Sequence, residues 1–448
     1  MEIPGKKISV IGAVRSGTGA AKLIKRLDGK PFVSDSGDLK KLEKQIKILK
    51  DNEIEFETGR HSDKVYDCDL MVVSPGVPLN SKVILTAKEK NIKMISEVEL
   101  ASVFCKGNII AITGTNGKTT TTSLCGHLLK TCGAKTYVVG NIGDAFSEVA
   151  LEVKKDEFVV LEVSSFQLDL IDTFKPKAAA ILNITPDHLN RYENKFENYV
   201  YSKFRIFKNQ DNSDYLILNK DDKTINKFLS PHESNDLYFS LNEVQDNGCF
   251  RLNEKIIYNK KGKKEFECDV TDIPIPGEHN IANAMAAISA LKIFGFDNEK
   301  IKEGLKTFKG VEHRLEFVRE LDGVKYINDS KATNVDSVWY ALRSFSEPVF
   351  LILGGQDKGN DYNQIKDLVI EKVEKIYAIG SSADIIFNFF HKDVKVEIKN
   401  TLQEAIISAN KEARQGEIVL LSPACASFDQ FEDYQHRGRV FKEFVNNL

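Results

Sequence analysis

Short runs of consecutive apolar residues recur along the whole chain, each closed by a small-residue turn and followed by apolar positions spaced three and four apart. Runs of this length, rich in Val, Ile and Leu and without polar alternation, predict strands buried on both faces, and the spacing behind them predicts helices. The strand candidates are "KISVIGA", "PFVSD", "LMVVSPG", "NIIAITG", "TYVVGN", "FVVLEVSSF", "AAAILNIT", "YLILN", "KYIND", "PVFLILGG", "KIYAIG" and "EIVLLSP". Strand followed by helix, repeated in this way, predicts an α/β fold built on parallel sheets.

Two composition breaks divide the pattern. One lies at "FCKGNIIAITG" and the other at "FKGVEHRLEFV", after the helical stretch "NIANAMAAISALKIFG". With 448 residues and roughly 150 per domain, three domains are expected, at 1–106, 107–309 and 310–448. The stretch from 220 to 275 breaks the alternation, being rich in Lys, Asn and Asp with short pieces such as "EKIIYN" and "KKEFECDVTDI". It predicts a small antiparallel insertion.

Charge and cysteine content narrow the function classes. Lys and Arg number 62 against 65 Asp and Glu, a net charge of -3, so no global basic field is present to attract nucleic acid. The seven cysteines are scattered, odd in number and without a C-x-x-C pair, which predicts reduced thiols and neither disulfide framework nor zinc site. The opening "MEIPGKKISVIGAV" is too short an apolar run for a signal peptide, and no stretch approaches the ~18 apolar residues of a membrane span. A soluble cytosolic protein, acting as a monomer on small molecules, is the expectation.

The candidate chemistry sits at the ends of the predicted strands. "ITGTNGKTTTT" follows an apolar strand and opens a helix; Ile112 stands where a full Walker loop begins with glycine, but Gly114, Thr115, Asn116, Gly117, Lys118, Thr119 and Thr120 retain its working part. Backbone N–H groups would wrap a triphosphate, Lys118 would add positive charge and Thr119 would reach Mg²⁺. Glu162 lies inside an apolar strand, where an unpaired carboxylate costs several kcal/mol, so it needs a partner: a cationic side chain or Mg²⁺. His188, in "NITPDHLNRY", reads either as a metal ligand or as a helix-start residue, and Lys203, among aromatics in "YVYSKFRIFKN", reads as a snorkelling or acid-paired lysine.

The outer domains carry further strand-end turns. "VIGAVRSGTGAAKLI" puts Gly12 and Gly17 around a tight turn, with Val14 where a dinucleotide fingerprint has its second glycine, so a nucleotide diphosphate docks there in another manner or the turn is structural. Asp35 ends the next strand. In the third domain "YINDSKATNVDS" places Asp329, Ser330, Lys331 and Thr333 at a helix start, "LILGGQDKGNDY" carries Lys358, and "LLSPACASFDQFEDYQHRG" offers Ser427 as cap of the next helix. Cys425 reads as a small core residue, since no histidine partner is evident.

Together "GTNGKTTTT", "LEVSSFQLD", "ITPDHLNRY", "YSKFRIF", "GEHNIANAMAA", "HRLEF", "NDSKATN" and "SPACASFDQF" occur in the order found in Mur ligases, and the chain resembles that family over nearly its whole length. The last two motifs resemble the member that adds D-glutamate. The resemblance implies a Rossmann-like domain for a UDP-sugar peptide, a central phosphate-loop domain for ATP and a C-terminal Rossmann-like domain for the amino acid. The implied substrates are UDP-N-acetylmuramoyl-L-alanine and D-glutamate, with two Mg²⁺ ions. By similarity Ser16, Gly17, Asp35, Asn141 and His188 would face the UDP-sugar peptide, and Thr119, Glu162 and His188 would hold the metals, helped by Lys203 as a carbamate. Asn283, Arg314 and Asp329 would lie on the ATP side, Lys331 near the transferred phosphate or incoming acid, and Thr333, Lys358, Ser427, Phe428 and Tyr434 around D-glutamate. Val14, Phe428 and Tyr434 depart from the pattern of other members. Two rivals remain: a ligase of the same family adding another amino acid, although the "DNPR" string of a diamino-acid site is absent, and a nucleotide-driven switch.

Overall fold

The computed structural model describes residues 1–38, 42–357 and 359–448. It is an α/β protein with three sheets. The N-terminal sheet has five parallel strands in the order Glu55–Thr58, Lys30–Asp35, Lys7–Ile11, Leu70–Val73, Met94–Ser96. Its order reverses beside Lys7–Ile11, so the turn after that strand faces the end of Leu70–Val73, the place where open α/β sheets receive ligands.

The central sheet has nine strands. Its parallel part places Asn108–Thr113 between Ala178–Ile181 and Phe158–Glu162, with Thr136–Gly140 at the edge and Tyr215–Asn219 beyond Ala178–Ile181. The 220–275 segment is antiparallel in its second half, as expected, but its first half continues the central sheet in parallel. Asn235–Ser240 and Gly248–Leu252 continue the sheet in parallel, and only Lys255–Lys260 and Lys263–Asp269 add antiparallel strands at its edge. The polar, interrupted sequence there reflects an edge exposed to water on one face rather than a new unit.

The third sheet runs Glu316–Leu321, Val324–Asn328, Ile418–Leu421, Val349–Gly354, Val373–Ile379, Lys395–Ile398, parallel except for the first pair. Its central strands are buried at every position, as their unbroken apolar runs require. By compactness the chain divides into two units. One holds Met1–Asp272 with Ala282–Lys306, and therefore both the N-terminal and central sheets; the other holds Ile273–Ile281 with Thr307–Leu448. Among the described residues no helix is long and apolar enough to cross a membrane.

Candidate functional site

In the first unit the phosphate loop connects Asn108–Thr113 to the helix Lys118–Thr131. Gly117 caps that helix at φ 82°, a left-handed conformation, and a Cβ there would lie 2.4 Å from Oδ1 of Asn283. Glycine is required on both counts. Asn283 is buried, and its side chain packs against the loop at Gly117. Lys118 Nζ donates to the carbonyls of Gly114 (2.8 Å) and Thr115 (2.7 Å), folding back over the loop. Thr119 and Thr120 are buried in the first helical turn.

The neighbouring strand braces the loop. Asn116 N–H donates to Asn183 Oδ1 (2.8 Å) and Asn183 Nδ2 returns a bond to the Asn116 carbonyl (3.0 Å). Thr115 Oγ1 donates to the Thr185 carbonyl (3.1 Å) and accepts from the Thr185 N–H (3.0 Å). Asn183 escaped the sequence reading, although "ILNIT" sets a polar amide at a strand end, which is the only signal available.

Glu162 ends Phe158–Glu162 at 2 % exposure. Asn141 holds it twice: the Asn141 N–H donates to the Glu162 carbonyl (2.8 Å) and Nδ2 to Oε1 (2.8 Å). The other carboxylate oxygen, Oε2, is buried and has no hydrogen-bond partner among the described residues. Among the described residues no cationic side chain pairs with it. A buried carboxylate with one oxygen fixed and one bare fits a divalent cation, since an uncompensated anion is otherwise costly to bury. Among the described residues no three His, Cys, Asp or Glu side chains converge as a metal cage. Mg²⁺ does not need one, because it binds through one or two carboxylates while water and phosphate fill the remaining positions.

His188 adopts φ 53° and packs its half-exposed ring on Phe166 at 5.0 Å. Lys203 is 2 % exposed, donates to the Gly114 carbonyl (2.8 Å) and lies 4.6 Å over the Tyr199 ring. It does not snorkel. Burial, reinforced by the nearby Lys118 charge, holds its amine well below the ordinary lysine range against the opposing pull of Asp187 and Asp169.

The N-terminal turn is built around two glycines. A Cβ on Gly17 would lie 1.7 Å from the Gly12 carbonyl oxygen, and Gly12 sits at φ 95° against Ser74. Ser16 follows in the first turn of the helix Arg15–Arg26. Asp35 clamps the turn, accepting from the Ala13 N–H (2.6 Å) and the Gly37 N–H (2.7 Å).

In the second unit three strand ends converge. Asp329, fully buried, lies 3.5 Å from Arg314 Nη1 and accepts from the Leu315 N–H (3.2 Å) and Ser422 Oγ (2.9 Å). Burial raises its carboxyl above the usual range, with Arg314 opposing. Lys331 lies 5.3 Å over the Tyr434 ring. Thr333 is half-buried, Ser427 buried and Phe428 exposed. Ser427 does not cap the following helix: Tyr434–Asn446 begins after Asp433, whose side chain accepts from the His436 N–H (2.7 Å). Lys358 lies outside the described residues. Cys425 packs against Tyr362, Ser382 and Asn360, and burial raises its thiol, the reverse of an activated nucleophile.

Sequence reasoning missed Arg437, which is fully buried. Its guanidinium donates to Ser330 Oγ (2.9 Å), the Ser330 carbonyl (2.8 Å) and the Cys425 carbonyl (3.2 Å), tying the "NDSK" turn to the "SPACAS" turn. Burial pushes its pKa down to about 10.

A braced phosphate loop beside a half-satisfied buried carboxylate, with one α/β sheet before it in the chain and another after it, has the features of a nucleotide-using α/β enzyme. Family comparison agrees domain by domain. Residues 7–83 match the MurD N-terminal domain, 112–291 the Mur ligase middle domain and 313–425 the Mur ligase glutamate ligase domain. The chain belongs to the Mur ligase family. It is 44% identical over 450 residues to the UDP-N-acetylmuramoylalanine–D-glutamate ligase of Koribacter versatilis, covering 100% of this chain and 99% of that protein. The ligase of the same name from Christiangramia forsetii is 45% identical over 448 residues, covering 99% and 100%. Among solved structures, the UDP-N-acetylmuramate-alanine ligase of Thermotoga maritima shares the fold, with a TM-score of 0.63 at 20% identity and 99% coverage of both chains. The MurF ligase of that organism, solved with ADP, has a TM-score of 0.60 at 18% identity, covering 85% and 90%.

Proposed function

We propose that this chain is an ATP-dependent ligase that joins D-glutamate to UDP-N-acetylmuramoyl-L-alanine through an acyl phosphate, in the cytoplasmic stage of peptidoglycan synthesis. The reading is supported by full-length identity above 40% to ligases of that name, and the observation that carries it is the phosphate loop beside Glu162.

A carboxylate is a poor acyl donor because oxide is no leaving group. Its oxygen attacks the γ-phosphorus of ATP, a P–O bond forms, and the bond to the β-phosphate oxygen breaks to release ADP. The loop N–H groups and Lys118 hold the phosphates and offset their charge. D-Glutamate then attacks the acyl carbon through its free amine; the C–N bond forms, phosphate leaves and the amine proton passes to solvent. By likeness to the family's motifs, Arg314, Asp329 and Lys331 are assigned to the nucleotide, and Thr333, Lys358, Ser427, Phe428 and Tyr434 to the amino acid. Ser16, Gly17 and Asp35 form the turn that receives the uridine diphosphate, and Asn141 and His188 face the peptide end.

Glu162 and Thr119, with His188 and a carbamate on Lys203, are the residues that would hold two Mg²⁺ ions. Bound there, Mg²⁺ supplies charge neutralisation at the phosphate oxygens. The carbamate is supported by the buried, easily deprotonated Lys203: its neutral amine adds to CO₂ and releases a proton to solvent, leaving a buried anion. The chain carries all three domains and acts as a monomer. The test is to incubate it with ATP, Mg²⁺ and UDP-N-acetylmuramoyl-L-alanine, vary the amino acid and weigh the products. The D-glutamyl product, with phosphate released only when both acid and amine are present, is expected. Equal ATP consumption without either would mark a switch instead.

A further inference from the structure

The helix Arg15–Arg26 presents positions 15, 19, 22 and 26 on one face, at helical spacing. Each meets the segment 140–152. Arg15 donates from Nη1 to the Gly143 carbonyl and from Nη2 to the Gly140 carbonyl (3.1 Å). Gly19 packs so closely that a Cβ would lie 2.6 Å from Ser147 Oγ. Lys22 pairs with Glu148 (2.6 Å) and Arg26 with Glu152 (2.6 Å).

The Arg15 contacts differ from the rest of the stripe in what they touch. Gly140 and Gly143 flank Asn141, and both lie in the left-handed region, at φ 108° and 59°. A turn of two such glycines has little intrinsic preference for one conformation. Yet Asn141 must be held still, since its N–H and Nδ2 fix Glu162 and leave Oε2 bare. Arg15 spans the turn as a two-pronged clamp, and it comes from the residue directly after the Gly12–Val14 turn.

We propose that Arg15 is a positioning residue for the ligation: from the N-terminal substrate turn it fixes the Gly140–Gly143 turn, and through Asn141 it sets the orientation of Glu162. The inference rests on the reading of Glu162 as a metal ligand. Removing a side chain that orients a metal ligand directly costs roughly 10–100-fold in metal affinity, and Arg15 acts one step further out, so about three- to ten-fold is expected.

The test uses the full chain with ADP, and Mn²⁺ as the probe, its binding read by electron paramagnetic resonance. Affinity for UDP-N-acetylmuramoyl-L-alanine is measured separately by calorimetry without metal or ATP. Arg15→Ala should weaken Mn²⁺ binding about three- to ten-fold and change the UDP-peptide affinity less than about two-fold, with Arg15→Lys restoring part of the loss. Arg26→Ala, which removes a surface pair of the same stripe, should leave both unchanged. If Glu162→Gln weakens Mn²⁺ binding and Arg15→Ala does not, the positioning role is wrong and the metal reading stands. If Glu162→Gln leaves Mn²⁺ binding intact, the metal reading itself fails. A ten-fold loss of UDP-peptide affinity with Mn²⁺ binding unchanged in Arg15→Ala would make Arg15 a direct anion contact and overturn the proposal.

Discussion

Arg437→Leu is a severe substitution at a position that touches no reacting atom. The wild-type guanidinium is fully buried and supplies the hydrogen bonds to the carbonyls of Ser330 and Cys425. The Ala426 carbonyl keeps the Gln356 N–H (2.8 Å), and Ser330 Oγ still donates to the Tyr434 carbonyl (2.8 Å). Two buried carbonyls are therefore left bare, at about 1–3 kcal/mol each. The gain from no longer burying a charge, the same force that brings the Arg437 pKa to about 10, offsets part of this. A net loss of ~3 kcal/mol follows, which in a unit of this size lowers the melting temperature by about 6–12 °C. The only tryptophan, Trp339, lies on Val335–Arg343 in the same unit, so intrinsic fluorescence reports its unfolding directly. At a temperature where the variant is still folded, its KM for D-glutamate should rise, because the two turns tied by Arg437 carry Lys331, Thr333 and Ser427. A fluorescence transition within about 1 °C of wild type would refute the reasoning.

Further outcomes are expected elsewhere. Gly17→Ala should abolish calorimetrically detectable UDP-peptide binding, since the added carbon lies 1.7 Å from the Gly12 carbonyl and the turn must open. Lys203→Ala should lower turnover by at least about 100-fold, and removal of dissolved CO₂ should slow the wild type; wild-type rates in the variant would end the carbamate assignment. Glu97, fully buried with Oε1 on the Ser147 N–H (2.6 Å) and Oε2 unpartnered among the described residues, has its carboxyl raised by burial. The folded state thus keeps a proton that the unfolded chain releases above about pH 4.5, and this contribution to stability is lost as pH rises through the folded-state value. Glu97→Gln should flatten the decline of melting temperature as pH rises above about 4.5; an unchanged slope would show that Glu97 does not carry it.

The phosphate loop was legible because its requirements are local: a strand, a left-handed Gly117 and a helix start follow one another in the chain. Glu162 was legible as a charge in an apolar run, which only a partner can explain. Lys203 was not, because its burial depends on the helix Phe196–Phe204 packing over the phosphate loop, where Lys203 meets Gly114, 89 residues away. Asn183, Arg15 and Arg437 act across 67, 125 and 107 residues, and nothing in their neighbours along the chain announces the contact. The edge of the central sheet was legible only in its antiparallel strands, for a related reason. Asn235–Ser240 and Gly248–Leu252 are short, and their parallel pairing is set by the sheet they join rather than by their own pattern.

The central claim is that ATP converts the alanyl carboxylate into an acyl phosphate, and isotope transfer tests it most directly. With both carboxylate oxygens of UDP-N-acetylmuramoyl-L-alanine labelled as ¹⁸O, one turnover with ATP and D-glutamate should place a single ¹⁸O in the released phosphate, read by mass spectrometry. Phosphate free of label, with the amide product formed, would contradict the account.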